Sequence, residues 1–141
     1  MRFNESVVIR RSPEDVFEFL ADVCNIPTWA SGVSKVEIVR SGNGSPLRYR
    51  VSSEFLGRKQ LQTFEMREHV EDARIVYESI ESDFPIKGSF DLDRQGSSTL
   101  LTHITESQPG SFFKMSPDAL RSIISKRLQE NLENVRGFLE T

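Results

Sequence analysis

Two histidines, one cysteine and a few acids and amides are the side chains of this 141-residue chain that could move protons or hold a ligand. His103 stands out among them. It lies in the alternating stretch Thr99-Leu100-Leu101-Thr102-His103, and a neutral imidazole both donates and accepts, with an unperturbed pKa of about 6.5 suited to proton transfer near neutrality. Its plainer role is a hydrogen-bonded sheet histidine. His69 reads as a solvated residue of the turn His69-Val70-Glu71-Asp72. Cys24 is the only cysteine, so no internal disulfide forms. With no activating neighbour legible beside it, Cys24 reads as a small buried hydrophobe rather than a nucleophile. No clustered spacing of metal ligands occurs, and no cofactor is expected. Gly42-Asn43-Gly44 lacks the third glycine and the following helix of a phosphate loop and reads as a hairpin turn.

A second group of polar residues draws notice by falling among apolar ones. Asn131 sits about 20° from Leu120 on a helical wheel, inside the stripe formed by Ile123, Ile124, Leu128, Leu132, Val135, Phe138 and Leu139, and Arg127 borders it. A buried amide there needs a carbonyl, a water or a ligand as partner. Tyr77, Ser53, Gln60 and Gln62 fall on the apolar side of strand-like stretches and could orient a guest molecule.

Positioning these groups requires a sheet and a long helix. Residues 2–10 alternate as a half-buried strand, with Phe3, Val7 and Ile9 on one side and Glu5 sharing it. Ser12-Pro13-Glu14-Asp15 carries the cap, the preset φ and the acids of a helix start, and Asn25-Ile26-Pro27-Thr28 opens a second short helix bearing Trp29. From Val33 to Ser107, turn chemistry separates six strands whose connections are too short for helical crossovers, which predicts an antiparallel meander. Ser116-Pro117-Asp118 then starts a helix running to Leu139, about 36 Å long.

Alternation assigns the inward faces. Tyr49, Val51, Ser53 and Phe55 share one strand, Gln60, Gln62, Phe64 and Met66 the next, then Ile75, Tyr77 and Ser79, then Phe84, Ile86, Gly88, Phe90 and Leu92. The last strand has two registers. One opposes Phe90 with Leu101 and Gly88 with His103, leaving room beside the imidazole; a slip of one residue turns both outward. With the first register, Leu61, Val76, Leu100 and Ile104 form an outer apolar patch, a candidate homodimer face.

Composition narrows the function classes. The chain is 37% hydrophobic and 28% charged with a formal charge of −3, which fits one domain spanning 1–141 and excludes collagen and disorder. Without clustered Lys/Arg a broad nucleic-acid surface is not expected. No stretch of about 18 apolar residues occurs to span a bilayer, and the N-terminus lacks the basic-then-apolar layout of a secretory signal. The expected location is the cytoplasm.

Ser12-Pro13-Glu14-Asp15-Val16-Phe17, followed by Ile26-Pro27, Trp29, Val33 and Val36, resembles the opening of the START/SRPBCC superfamily, especially its polyketide cyclase/dehydrase and lipid-transport branch. Phe64-Glu65-Met66-Arg67-Glu68, Gln95-Gly96-Ser97-Ser98-Thr99-Leu100-Leu101 and the terminal helix resemble it too. The resemblance spans the chain. It implies an α+β helix-grip fold, in which a curved seven-stranded antiparallel sheet, with two short helices after its first strand, wraps the C-terminal helix. It also favours the inward series Thr99, Leu101 and His103. In that arrangement the first and last strands are neighbours, so Glu5 and His103 could meet, and a carboxylate beside an imidazole favours the charged form of both.

Sheet and helix of such a fold cannot touch everywhere, and the space left between them suits an apolar guest. The expected lining is Tyr49, Val51, Ser53, Phe55, Gln62, Phe64, Tyr77, Phe90, Leu101, His103, Ile124, Leu128 and Asn131. Three functions compete. The leading one is non-catalytic binding of a small hydrophobic molecule such as a lipid, polyketide-like or isoprenoid compound. A cofactor-independent cyclase/dehydratase would use His103, with Glu5 or Tyr77, to move protons. A co-chaperone-like interaction module would use an outer face over a collapsed interior.

Overall fold

The computed structural model describes residues 1–41 and 44–141, and its element order follows the punctuation of the sequence. Strand β1 (Arg2–Ile9) leads into helix α1 (Pro13–Ala21), whose cap residue Ser12 accepts the Asp15 amide at 3.2 Å. A 3₁₀ turn (Val23–Asn25) and helix α2 (Ile26–Trp29) follow. Strands β2 (Val33–Arg40), β3 (Arg48–Phe55), β4 (Arg58–Val70), β5 (Arg74–Glu81), β6 (Ile86–Gln95) and β7 (Ser98–Ser107) precede helix α3 (Pro117–Leu139), which Ser116 caps through the Ala119 amide. All strands join one antiparallel sheet in the order β1-β7-β6-β5-β4-β3-β2. The hairpin reading of Gly42-Asn43-Gly44 rests on Gly42 and Asn43, which lie outside the described residues. Among the described residues no helix is long and apolar enough to cross a membrane.

The β6–β7 hairpin turns one residue later than the expected pairing required. Gln95 pairs with Ser98, so Gly96-Ser97 is a two-residue loop, and Gly96 supplies its positive φ of 64°. Phe90 therefore opposes His103, Leu92 opposes Leu101 and Gly88 opposes Thr105. Each expected partner is displaced by two residues, which keeps Leu101 and His103 on the inner face.

An irregularity in β4 overturns the reading of His69. The ladder to β5 skips from Met66↔Tyr77 to Glu68↔Val76, leaving Arg67 as an extra residue. Such a bulge bends the strand and reverses the alternation beyond it. His69 consequently belongs to β4 rather than to a turn and pairs with the buried Ile75, and its exposed ring meets the edge of Phe17 from α1 at 4.9 Å.

The outer patch does not form as expected. Leu61 is 59% exposed, but Val76 is buried and sits toward the other end of β4, against Glu68. The ion-paired side chains of Arg74 with Glu68 and Asp91 flank it, and stems of this kind cover apolar neighbours. Elsewhere on the outer face, Arg40, Arg48 and Arg67 converge on the largely shielded Glu65. The hydrogen bond from Arg48, with the charges of Arg67 and Arg40, holds that carboxyl below its ordinary range.

Helix α3 buries Leu120, Leu132, Val135 and Leu139 against the sheet. Phe138 departs from the expected stripe: it is 53% exposed and stacks on Phe19 of α1 at 4.8 Å. Cys24 is also exposed, against expectation, because it lies in the surface 3₁₀ turn where Val23 takes the inward position.

Candidate functional site

One half of the space between sheet and helix is solid and the other hollow. Ile9, Val16, Leu101, Leu132 and Val135 are fully enclosed and pack together where α1, β1 and β7 meet the C-terminal half of α3. Alongside the middle of α3 a cavity of about 270 Å³ opens between β3–β7 and residues Ile124, Arg127, Leu128 and Asn131. That volume lies near the lower edge of the roughly 300–1,000 Å³ usual for small-molecule sites.

Of the thirteen residues named from the sequence, twelve line this cavity: Tyr49, Val51, Ser53, Phe55, Gln62, Phe64, Tyr77, Phe90, His103, Ile124, Leu128 and Asn131. Leu101 does not. It belongs to the solid half because it stands between Val7 and Leu92, beneath the part of α3 that packs closest. Other walls were not foreseen in the sequence. Leu20, Val23, Ile26, Trp29 and Ala30 close one side, and Phe113, from the segment between β7 and α3, closes an end against Phe84, which alternation had already turned inward. Those residues sit in short helices and connections where periodicity is silent. Only the single tryptophan after Ile26-Pro27 is conspicuous in the sequence, and its backbone carbonyl accepts from Asn134 Nδ2 of α3.

The polar groups are mostly occupied. The Tyr77 hydroxyl and His103 Nε2 lie 2.7 Å apart, and Thr105 Oγ1 is 3.3 Å from the same nitrogen. The imidazole stacks on Phe90 at 4.1 Å and retains 5% exposure. Burial pushes its pKa down to about 4, so the ring is neutral at physiological pH. Burial likewise raises the Tyr77 and Tyr49 hydroxyls above the phenol range.

Glu5 is the cross-strand neighbour of His103, but the anticipated charge pair does not form. Ser125 of α3 donates to the Glu5 carboxylate at 2.7 Å, while the uncharged imidazole faces Tyr77. Asn131 Oδ1 accepts the Ser31 amide at 3.0 Å, a backbone N–H rather than a carbonyl, and Arg127 donates to the Ser31 carbonyl while covering the Phe55 ring. Replacing Asn131 by alanine should therefore lower the unfolding free energy by about 1 kcal/mol in urea titrations; an unchanged midpoint would remove it from the structural contacts that hold the segment after α2 to α3. Gln62 Nε2 donates to Ser82 Oγ at 3.0 Å.

Two atoms differ from this pattern. Trp29 and Gln60 belong to the cavity wall, but Trp29 Nε1 and Gln60 Oε1 are themselves shielded from contact and have no hydrogen-bond partner among the described residues. Among those residues no group of three or more His, Cys, Asp or Glu side chains is gathered to hold a metal ion.

Residues 1–140 match the family described as polyketide cyclase / dehydrase and lipid transport. The chain belongs to that family. No curated protein matches it in sequence. Solved structures of the same fold include a START superfamily protein from Mycobacterium smegmatis, 19% identical with a TM-score of 0.83 over 99% of this chain and 97% of that one. The Zhui aromatase/cyclase from Streptomyces sp. R1128 is 21% identical, with a TM-score of 0.80 over 99% and 93%. A di-domain aromatase/cyclase of the steffimycin biosynthetic pathway shares the fold at 13% identity and a TM-score of 0.75, this family member spanning 50% of that chain. At these identities the likeness establishes the helix-grip architecture and leaves ligand and chemistry to the site itself.

Proposed function

We propose that this chain binds one small, largely apolar molecule in the cavity between β3–β7 and α3. The observation carrying this reading is the cavity wall: Val51, Phe64, Ile75, Phe90, Ile124 and Leu128 form an apolar enclosure, with a few polar groups at fixed points. That combination is the usual form of a small-molecule site. The fold shared with aromatase/cyclases supports a guest of polyketide-like, lipid or isoprenoid type. The free, exposed Cys24 suits a reducing compartment, which supports a cytoplasmic location.

Native mass spectrometry of protein purified from its own source tests the reading directly, a retained small molecule being the expected result. Displacement of aminoanthracene gives an affinity scale. Ser53→Phe, which fills part of the cavity, should weaken that dye by at least about tenfold while leaving the circular dichroism spectrum native. Equal affinity in the two proteins would place the dye, and the proposed guest, elsewhere.

A second reading, catalysis of the cyclase/dehydratase kind, draws on the Tyr77–His103–Thr105 hydrogen-bonded group at the cavity wall. The low basicity of His103 weighs against it, since an acid or base works best with a pKa near the operating pH. Under catalysis that ends in dehydration, a supplied open-chain precursor loses the mass of one water during incubation and His103→Phe stops the loss. Under binding alone it emerges unaltered.

A further inference from the structure

The two edges of the sheet differ in what covers them. At the β1 edge, Arg121 of α3 donates to the Arg2 carbonyl at 3.1 Å, and Glu140, just past the helix, accepts the Arg10 amide at 3.1 Å. At the other edge, β2 pairs with β3 on one side only. Apart from that ladder, no hydrogen bond among the described residues reaches the backbone of residues 34–39. Such an edge presents amides and carbonyls that another strand can pair with.

The side chains of β2 decide which strand fits. Cross-strand partners share a face, so Val36 and Ile38 lie on the inner side with Val51 and Tyr49, while Lys35 and Glu37 lie on the outer side with Ser52 and Arg50. Ile38 and Val39 are 46% and 44% exposed, and Lys35 and Glu37 form a solvent-open ion pair at 3.1 Å. Charges on an edge ordinarily keep other strands away. Here the two signs stand two residues apart, so what they repel depends on register.

A second copy related by a two-fold axis sets its β2 antiparallel to the first, and the axis must pass at one residue and its own counterpart for inner face to meet inner face. With the axis at Lys35 or at Glu37, like charges stand directly opposite, which disfavours pairing. An axis at Ser34 sets Lys35 against Val33, and an axis at Ile38 sets Glu37 against Val39. With the axis at Val36, Lys35 opposes Glu37 of the second copy, Glu37 opposes Lys35 of the second copy, and Val36 meets itself. That register satisfies both charges at once. Each Glu37 then lies between Arg50 of its own β3 and the incoming lysine.

We infer that the β2 edge is an association surface for a second copy of this chain, the two strands antiparallel about an axis at Val36 and the two sheets continuous. Irregularities in the ladder to β3 at Ser34 and Val39 confine the regular run to Lys35–Ile38. The pairing is therefore short, and the association is of the weak, concentration-dependent kind.

Sedimentation velocity on charge variants tests this. The parent is expected to double in mass as its concentration rises to about 200 µM. Glu37→Lys leaves only cations on the outer side of the run and Lys35→Glu only anions, and each should weaken self-association at least about fivefold. Mixed in equal amounts, these two variants regain both opposite pairs and should associate with each other at about the parent's strength. Glu18→Lys, the same change of net charge on the exposed side of α1, should leave association as it is. Amide exchange over residues 34–38 should slow as the parent associates. All three substituted side chains are exposed, and native circular dichroism spectra show that each variant is folded. A parent that stays monomeric throughout overturns the proposal. So does a dimer that ignores the charge reversals, that fails to re-form in the mixture, or whose amides in β2 exchange as fast as in the monomer, since the copies would then meet on another face.

Discussion

Replacing Gly88 by alanine should destabilise the fold by on the order of 2–3 kcal/mol and part Tyr77 from His103. A Cβ built on Gly88 would lie 2.7 Å from Tyr77 Cε1 and nearer still to its Cζ and hydroxyl oxygen, far inside contact distance. Gly88 pairs with Tyr77 across the β5–β6 ladder and with Thr105 across β6–β7, so the phenol lies over the gap that the missing side chain leaves. The room expected beside His103 exists, but Tyr77 occupies it. The ring cannot swing away cheaply, since Phe64, Phe90 and His103 surround it at centroid distances of 5.9 to 6.0 Å. Displacing it also breaks the 2.7 Å contact with His103 Nε2. A double-mutant cycle isolates the cause. In a Tyr77→Ala background the alanine at 88 has nothing to strike, and adding it should change the urea midpoint little. Equal costs of Gly88→Ala in both backgrounds would assign the effect to the strand backbone instead of the phenol.

The alternating stretches made the inner wall legible, because one face of an antiparallel sheet must be apolar and its period is two. Tyr49, Val51, Phe64, Tyr77 and Phe90 were placed by that rule alone. It failed where the backbone departs from the period: the extra residue at Arg67 carried His69 to a place no alternation indicates. It also could not tell a residue facing the hollow from one facing solid core. Leu101 and His103 share a face and are two residues apart, yet one is sealed against Val7 and Leu92 while the other borders the cavity. That difference is set by how closely α3 approaches each part of the sheet, a three-dimensional property. Trp29 and Phe113 escaped assignment for a related reason, since short helices and connections carry no period to read.

Acid should expose the burial of His103 as a loss of stability in a definite window. In the folded chain the imidazole stays neutral down to about pH 4, whereas in the unfolded chain it takes a proton near pH 6.5. Between those values the unfolded state binds the extra proton, so unfolding becomes easier as the pH falls from 6.5 toward 4. The full shift corresponds to about 3 kcal/mol, all of it available above pH 6.5 and gone below pH 4. Carboxylates act elsewhere on the scale. Hydrogen bonds and neighbouring arginines hold the carboxyls of Glu14, Glu65 and Glu140 below the ordinary glutamate range, so their stabilisation is present above that range and lost at lower pH. Urea titrations across the upper window therefore report mainly on the histidine. His103→Phe preserves a ring for Phe90 to stack on and has nothing to titrate; it should flatten the stability profile between about pH 6.5 and pH 4.5, whatever its stability at neutral pH. A variant whose profile stays as steep as that of the parent would mean that His103 carries its proton in the folded chain. The phenol–imidazole pair would then be a charged one, the objection to proton transfer at this site would lapse, and catalysis would displace simple binding as the better account of the cavity.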